Sequence, residues 1–162
     1  MTTSEDRYGM TTSEDRYEEG TEIESSRIMK TDVFLFLLDL EVKRARRYQN
    51  FLSILLLEFK EYSDAEQTED PRSCYQALTD LLMGETRETD ILGTLRENEL
   101  IILLPYADAS AGKLAGDRLE KAMEHYDFKG RGCEVSIQQI SFPMNGADTI
   151  DLMKKALGAE SL

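Results

Sequence analysis

The spacing of apolar side chains divides the chain into a helix, a strand, a helix, a hairpin, a helix, a strand and a final helix. In the first helix, apolar residues recur every three or four positions and form one stripe, made of Phe34, Leu37, Leu38, Val42 and Ala45. The nearly unbroken apolar run over 51–59 is typical of a central strand that is covered on both faces. This order of elements predicts an α/β fold, a palm-like sandwich in which helices flank one mixed central sheet.

The predicted bounds follow from where the apolar spacing starts and stops. A polar, acidic loop is expected over 60–70, and Asp70 before Pro71 favours a helix start because Asp can cap a helix whose first residue is Pro. The expected helices are 28–48, one that starts at Asp70-Pro71, 108–126 and 147–158, and the expected strands are 51–59, 90–95, 99–105 and 133–142.

The first 26 residues differ from the rest of the chain. The eight residues from Met1 to Tyr8 recur without change from Met10 to Tyr17, and more acidic residues follow. Too few apolar groups are present to offset the entropy of ordering, so we expect a disordered acidic tail over 1–26 and one folded domain over 27–162. The repeat is a duplicated linear motif, a second start codon or a cloning remnant.

The formal net charge of −13 argues against non-specific binding to nucleic acid or to an anionic membrane, because the field repels phosphate. The basic cluster of Lys43, Arg44, Arg46 and Arg47 is expected to be a solvated surface near the end of the first helix. Polar residues follow Met1 and no apolar run reaches the roughly 20 residues that span a membrane, which predicts a cytoplasmic protein. Cys74 and Cys133 have no metal-ligand spacing and are expected to be reduced thiols.

One segment carries a recognisable pattern. Arg87 and Asp90 form an R-x-x-D motif, and five residues later the chain reads Arg96-Glu97-Asn98-Glu99-Leu100 before an apolar strand that ends in Pro105. The segment resembles the R-x-x-D, five residues and G-G-D/E-E-F signature of diguanylate cyclase (GGDEF) domains. The resemblance extends over about residues 24–157 and includes a similar first helix (34–47), Phe59-Lys60, Asp64 and the strand that begins Cys133-Glu134-Val135-Ser136-Ile137.

The departures from the family pattern concern its catalytic residues. The resemblance places Leu55 and Leu57 where the family has a D-x-D, and Asn98 where it has the third signature carboxylate. Mg²⁺ usually relies on carboxylates and substrate phosphates, and phosphoryl transfer relies on that metal. Arg96 and Glu97 replace the signature glycines, Gln138 replaces a strand glycine, and Ser63 stands at the position of a base-reading Asn. These departures predict that the chain is not an enzyme and needs no cofactor, with Glu99 as a residue of the hairpin turn.

The family's product-inhibition site is the part that the sequence retains. Its R-x-x-D corresponds to Arg87 and Asp90, and its helical arginine corresponds to Arg118, thirteen residues after Pro105. The resemblance implies a cyclic di-GMP site, because an arginine fork can bind guanine or phosphate and Asp90 can accept from guanine donors. A ligand-linked homodimer is the partner arrangement that this analogy implies.

Other interpretations stay open at this point. Arg87 and Asp90 form a weak motif and could be a surface ion pair, and Arg118 could pair on its own helix. The chain could also be a ligand-independent scaffold that acts through the tail or the degenerate active-site face. The tail threonines before acidic residues could be phosphorylated and bound by a partner, or the tail could be a solubilising arm.

Overall fold

A mixed sheet of five strands, in the order β1-β3-β4-β2-β5, forms the centre of the protein. The computed structural model describes residues 27–62 and 72–158, and the predicted tail over 1–26 and the Asp70-Pro71 helix start lie outside this part. The strands are β1 (Ile28–Met29), β2 (Leu52–Glu61), β3 (Ile91–Thr94), β4 (Glu99–Pro105) and β5 (Cys133–Phe142), and the helices are α1 (Thr31–Tyr48), α2 (Arg72–Glu85), α3 (Ala109–Met123) and α4 (Thr149–Leu157). This architecture confirms the predicted α/β class, with helices on both faces of one mixed sheet.

Strand β2 occupies the position that its apolar sequence predicts. It pairs antiparallel with β4 on one side and with β5 on the other, so that Leu55 lies opposite Ile102 and Gln139. All six residues from Leu52 to Leu57 are buried, because helices cover both faces of the sheet.

Two apolar cores lie on opposite faces of the sheet, as the alternation of side chains along a strand requires. Leu55 and Leu57 face the core beneath α2 and α3, whereas Ile54 and Leu56 face the core beneath α1 and α4. The helical residues of the first core are Cys74, Ala77, Leu78, Leu81, Leu82, Ala115 and Leu119, and those of the second are Phe34, Leu38, Val42, Ala45, Leu152, Met153 and Ala156.

The prediction that the first helix begins at residue 28 was wrong. Ile28 and Met29 form the short edge strand β1, parallel to Leu92 and Gly93 of β3, and α1 begins at Thr31. Two residues are too few to show an alternating pattern, and their pairing partner lies more than 60 residues further along the chain.

The predicted loop over 60–70 begins too early. Lys60 and Glu61 extend β2 because they pair with Glu134 and Cys133 of β5. Polar residues suit this end of the sheet because the side chains of Lys60 and Glu61 are exposed.

Asp108 and Asp148 are N-caps that accept from the backbone N–H groups of residues 111 and 151, so α3 and α4 begin after them. A short 3₁₀ turn over Glu124–Tyr126 follows the end of α3.

The expectation of two reduced thiols was also wrong. Cys74 in the first turns of α2 and Cys133 at the start of β5 form a disulfide, with their Cα atoms 6.4 Å apart. The 59-residue separation gave no sign of the pairing, which arises because α2 packs over the end of β5.

Among the described residues, no helix is both long and apolar enough to cross a membrane.

We expect the disulfide to stabilise the fold. Cys74→Ala should lower the free energy of unfolding by roughly 2–4 kcal/mol, because the cross-link closes a long loop of the unfolded chain. Urea unfolding with and without reductant measures this, and reductant should destabilise the wild type but not the variant. Complete alkylation of both thiols in the native protein without reductant would contradict the pairing.

Candidate functional site

The R-x-x-D segment forms a tight turn between the end of α2 and β3. The carboxylate of Asp90 accepts from the backbone N–H of Arg87 at 2.8 Å, and the backbone N–H of Asp90 donates to the Arg87 carbonyl at 3.0 Å. These two reciprocal bonds fix the turn and leave the second Asp90 oxygen without a hydrogen bond in the described part of the chain. Asp90 is therefore both a turn residue and a half-buried acceptor.

The Arg87 side chain is exposed beside this turn. Among the described residues, its guanidinium pairs with no carboxylate, so the predicted alternative of an Arg87–Asp90 ion pair is wrong. A guanidinium with its donors in water is available to an anionic or guanine ligand at a low desolvation cost.

Arg118 lies on α3 and contacts the same end of α2. Its Nε is 4.0 Å from a carboxylate oxygen of Glu85, and both side chains are partly exposed, at 49% and 37%. The alternative that Arg118 pairs on its own helix is wrong, because its partner is on α2. Glu85 is the last residue of α2 and lies two residues before Arg87, so the structure brings Arg118 to the segment that carries the turn.

Arg27 is a third cation at this turn, and the sequence gave no reason to select it. One of its nitrogens donates to the Arg87 carbonyl, and another contacts the sulfur of Met83 on α2 at 3.7 Å. The residue immediately before β1 therefore ties the start of the domain to the turn.

Arg96, Glu97 and Asn98 form the turn between β3 and β4, as predicted, whereas Glu99, which was expected in the turn, is the first residue of β4. Arg96 Nε lies 3.1 and 3.0 Å from the two carboxylate oxygens of Glu99, and Arg96 Nη2 lies 2.7 Å from one of them. Glu99 is only 5% exposed, so this fork neutralises a buried carboxylate, and its hydrogen bonds raise the pKa of Arg96 above its usual value. Between the pair, Asn98 adopts a left-handed conformation with φ of 61°, which Asn tolerates better than most residues.

The residues at the family's metal-ligand positions do not suit Mg²⁺. Leu55 and Leu57 are 1% and 0% exposed and belong to the core beneath α2 and α3, where a carboxylate would be desolvated. The remaining signature carboxylate, Glu99, is engaged by Arg96. Within residues 27–62 and 72–158, no group of three or more His, Cys, Asp or Glu side chains is arranged to hold a metal ion.

A groove of about 740 Å³ opens beside the turn between β3 and β4. Its walls come from β2, α2 and the β3–β4 turn, and they include Phe59, the half-exposed Tyr75, Thr94, Arg96 and Asn98. The groove is the degenerate active-site face of the sequence prediction. Of the remaining predicted positions, Gln138 donates to the Lys155 carbonyl at the other edge of the sheet, and Ser63 and Asp64 lie outside the described residues.

Solved structures of diguanylate cyclase domains share this fold. A DGC protein from Thermotoga maritima is 19% identical over 82% of this chain and 95% of its own, with a TM-score of 0.68. The GGDEF domain of FimX from Pseudomonas aeruginosa is 18% identical over 80% of this chain and 85% of its own, with a TM-score of 0.67. A microbial GGDEF domain with a novel mode of interaction with cyclic di-GMP is 15% identical over 83% of this chain and 86% of its own, with a TM-score of 0.65.

The protein therefore has the fold of GGDEF domains, which confirms the fold that the sequence resemblance implied. No family model and no curated protein matches the sequence.

We expect the Arg96–Glu99 pair to stabilise the hairpin. Arg96→Ala should lower the free energy of unfolding by roughly 1–3 kcal/mol, because it leaves a buried carboxylate without its partner. The double variant Arg96→Ala/Glu99→Leu removes that charge and should recover part of the loss in chemical denaturation. Equal losses in the single and double variants would show that the ion pair is not what stabilises the turn.

Proposed function

We propose that this protein is a non-catalytic receptor for cyclic di-GMP that binds the dinucleotide through Arg87, Asp90 and Arg118. The observation that carries the proposal is the turn at the end of α2, where the exposed guanidinium of Arg87, which pairs with no carboxylate of the described residues, lies beside the fixed carboxylate of Asp90. A GGDEF domain with the same fold interacts with cyclic di-GMP, which supports this class of ligand. Binding would change the association of the domain with itself or with a partner.

The groups at the turn have the chemistry that a guanine dinucleotide needs. The Arg87 fork can bind guanine O6 and N7 or a phosphate, and the free Asp90 oxygen can accept from the guanine N1 and N2 donors. Arg118 would exchange Glu85 for the ligand at small cost, because their ion pair is half-exposed and long at 4.0 Å. Arg27 adds positive charge at the turn, although its bond to the Arg87 carbonyl makes it a positioning residue.

The absence of catalysis is part of the same proposal. Leu55 and Leu57 on β2 contribute to the core, and the Arg96 side chain occupies the turn where the family's glycines leave room for substrate. A transferase of this family uses two carboxylates to hold Mg²⁺. At the corresponding positions this protein has Leu55 and Asn98, which cannot replace them.

Titration of the protein with cyclic di-GMP in a calorimeter tests the receptor directly. We expect micromolar or tighter binding, about −8 kcal/mol or better, and at least about tenfold weaker binding for Arg87→Ala because each charged hydrogen bond contributes roughly 1.5–3 kcal/mol. Lys154→Ala is the control, since this exposed cation lies on α4 on the other face of the sheet. GTP with Mg²⁺ serves as the control for substrate binding, and formation of product from it would contradict the absence of catalysis.

Glu85 provides a second, opposite test of the same site. Glu85→Gln should tighten cyclic di-GMP binding by up to about fivefold, because Arg118 loses the carboxylate that competes with the ligand. Glu120→Gln removes an equal charge from the exposed surface of α3 and is the matched control. An equal change in both variants would show that only long-range charge acts, and weaker binding in Glu85→Gln would contradict the assignment of Arg118.

The competing function is a ligand-independent scaffold, and the groove beside the degenerate signature is the observation that favours it. The groove carries the exposed ring of Tyr75 and is large enough to receive side chains of a protein partner. This function predicts no response to cyclic di-GMP, and partner capture that Tyr75→Ala abolishes and Arg87→Ala leaves unchanged.

A further inference from the structure

Helix α1 has apolar side chains on two opposite faces. One stripe, formed by Phe34, Leu38, Val42 and Ala45, is buried against the sheet. The other contains Val33, Phe36 and Leu40, which are 42%, 69% and 43% exposed. At about 100° per residue, these three side chains form a stripe on the side of the helix that faces away from the core. A helix that is apolar on both faces usually buries the second face against another surface.

The charges of α1 are distributed unevenly along its length. Asp32 lies in the first turn, whereas Arg44 and Arg47 continue the outer stripe toward the C-terminus. Arg47 has no carboxylate partner among the described residues, and its guanidinium lies 5.7 Å from the ring centre of Tyr48. The outer face therefore changes from acidic through apolar to basic along the helix.

We propose that this outer face of α1 pairs with the same face of a second copy of the chain, in antiparallel orientation and without ligand. In a two-fold pair centred on Leu40, Leu40 meets its own copy and Phe36 meets Arg44 of the second copy, an arrangement that permits cation–π contact. Val33 then lies opposite Arg47 of the second copy, and Asp32, one residue before Val33, is within reach of that long side chain. The symmetry forms the Phe36–Arg44 and Asp32–Arg47 contacts twice each, and the Leu40 contact once. A parallel pair would instead place the basic ends together and is disfavoured by repulsion.

The neighbourhood of the stripe leaves it free for this contact. The flanking cations Lys43 and Arg44 form half-exposed ion pairs within the helix, with Asp39 and Glu41, and these are weak enough to rearrange. Thr149, the first residue of α4, donates to Asp39 at 2.8 Å, and the next residue, Ile150, is 65% exposed and adds apolar surface beside α1. The 18 residues of α1 extend about 27 Å, which favours a small interface and a transient dimer.

This surface is separate from the proposed ligand site. Helix α1 covers one face of the sheet, whereas α2 and α3, which carry Glu85 and Arg118, cover the other. The two proposals can therefore fail independently.

Sedimentation of the full chain over a concentration series, without cyclic di-GMP, tests the dimer. We expect a reversible monomer–dimer equilibrium, and Leu40→Asp should weaken it at least about tenfold because the two-fold axis places the two new carboxylates against each other in the centre of the contact. Leu114→Asp is the matched control, since Leu114 is 70% exposed on α3 and should leave the equilibrium unchanged. Circular dichroism and an unchanged midpoint of urea unfolding would show that Leu40→Asp still folds. A protein that stays monomeric throughout, or equal losses in the two variants, would overturn the proposal.

Cysteine cross-linking tests the orientation of the pair. Leu40→Cys should form a disulfide-linked dimer under mild oxidation, because residue 40 meets its own copy on the two-fold axis. Val33→Cys should not, because antiparallel helices place the two copies of residue 33 at opposite ends. Charge exchange in Asp32→Arg/Arg47→Asp should restore dimerisation that Arg47→Asp alone weakens. Efficient cross-linking through Val33→Cys, or no rescue by the exchange, would overturn the antiparallel arrangement.

Discussion

The buried strand β2 is the constraint on which the rest of the structure depends. Its six residues Leu52–Leu57 are buried between β4 and β5 and supply side chains to both cores. Uncharged residues are required there because a strand that is covered on two faces has no side where a charge remains hydrated, and the one polar residue, Ser53, forms a hydrogen bond with the Ser141 hydroxyl at 2.9 Å. The sequence resemblance aligns Leu55 and Leu57 with carboxylates of the GGDEF family, and here both side chains belong to the core beneath α2 and α3.

The two faces of the sheet divide the surface of the protein. On one face, the end of α2 presents the Arg87 turn and, through Glu85, the guanidinium of Arg118. On the other face, α1 buries one apolar stripe and exposes a second. A ligand site on one face and a contact surface on the other would allow the domain to combine two functions within one small fold, with β2 shared between their supports.

Long elements with a strong apolar period could be predicted from the sequence, because burial of a whole face sets their spacing. This holds for β2, for the stripe of α1 and for the strands before and after the degenerate turn. Features that depend on distant partners could not be predicted. The strand at Ile28 exists only through its pairing with β3, the bond between Cys74 and Cys133 joins residues 59 apart, and Arg118 pairs with a carboxylate on a different helix.

The candidate site shows the same limit on a smaller scale. The spacing of Arg87 and Asp90 predicted a site at this segment, but the motif does not reveal that Asp90 caps the Arg87 backbone and not its side chain. Arg27 was missed because nothing in its local sequence marks it, and its contact with the turn appears only in the folded chain. Local spacing therefore identified the turn, and tertiary packing determined which of its donors and acceptors remain free.

The most direct test of the receptor is a map of backbone amide shifts in the labelled protein as cyclic di-GMP is added. A receptor that uses this site should show the largest changes on the turn from Arg87 to Asp90 and around Arg118, with little change along the groove beside Arg96. Changes centred on that groove, or none at saturating ligand, would contradict it.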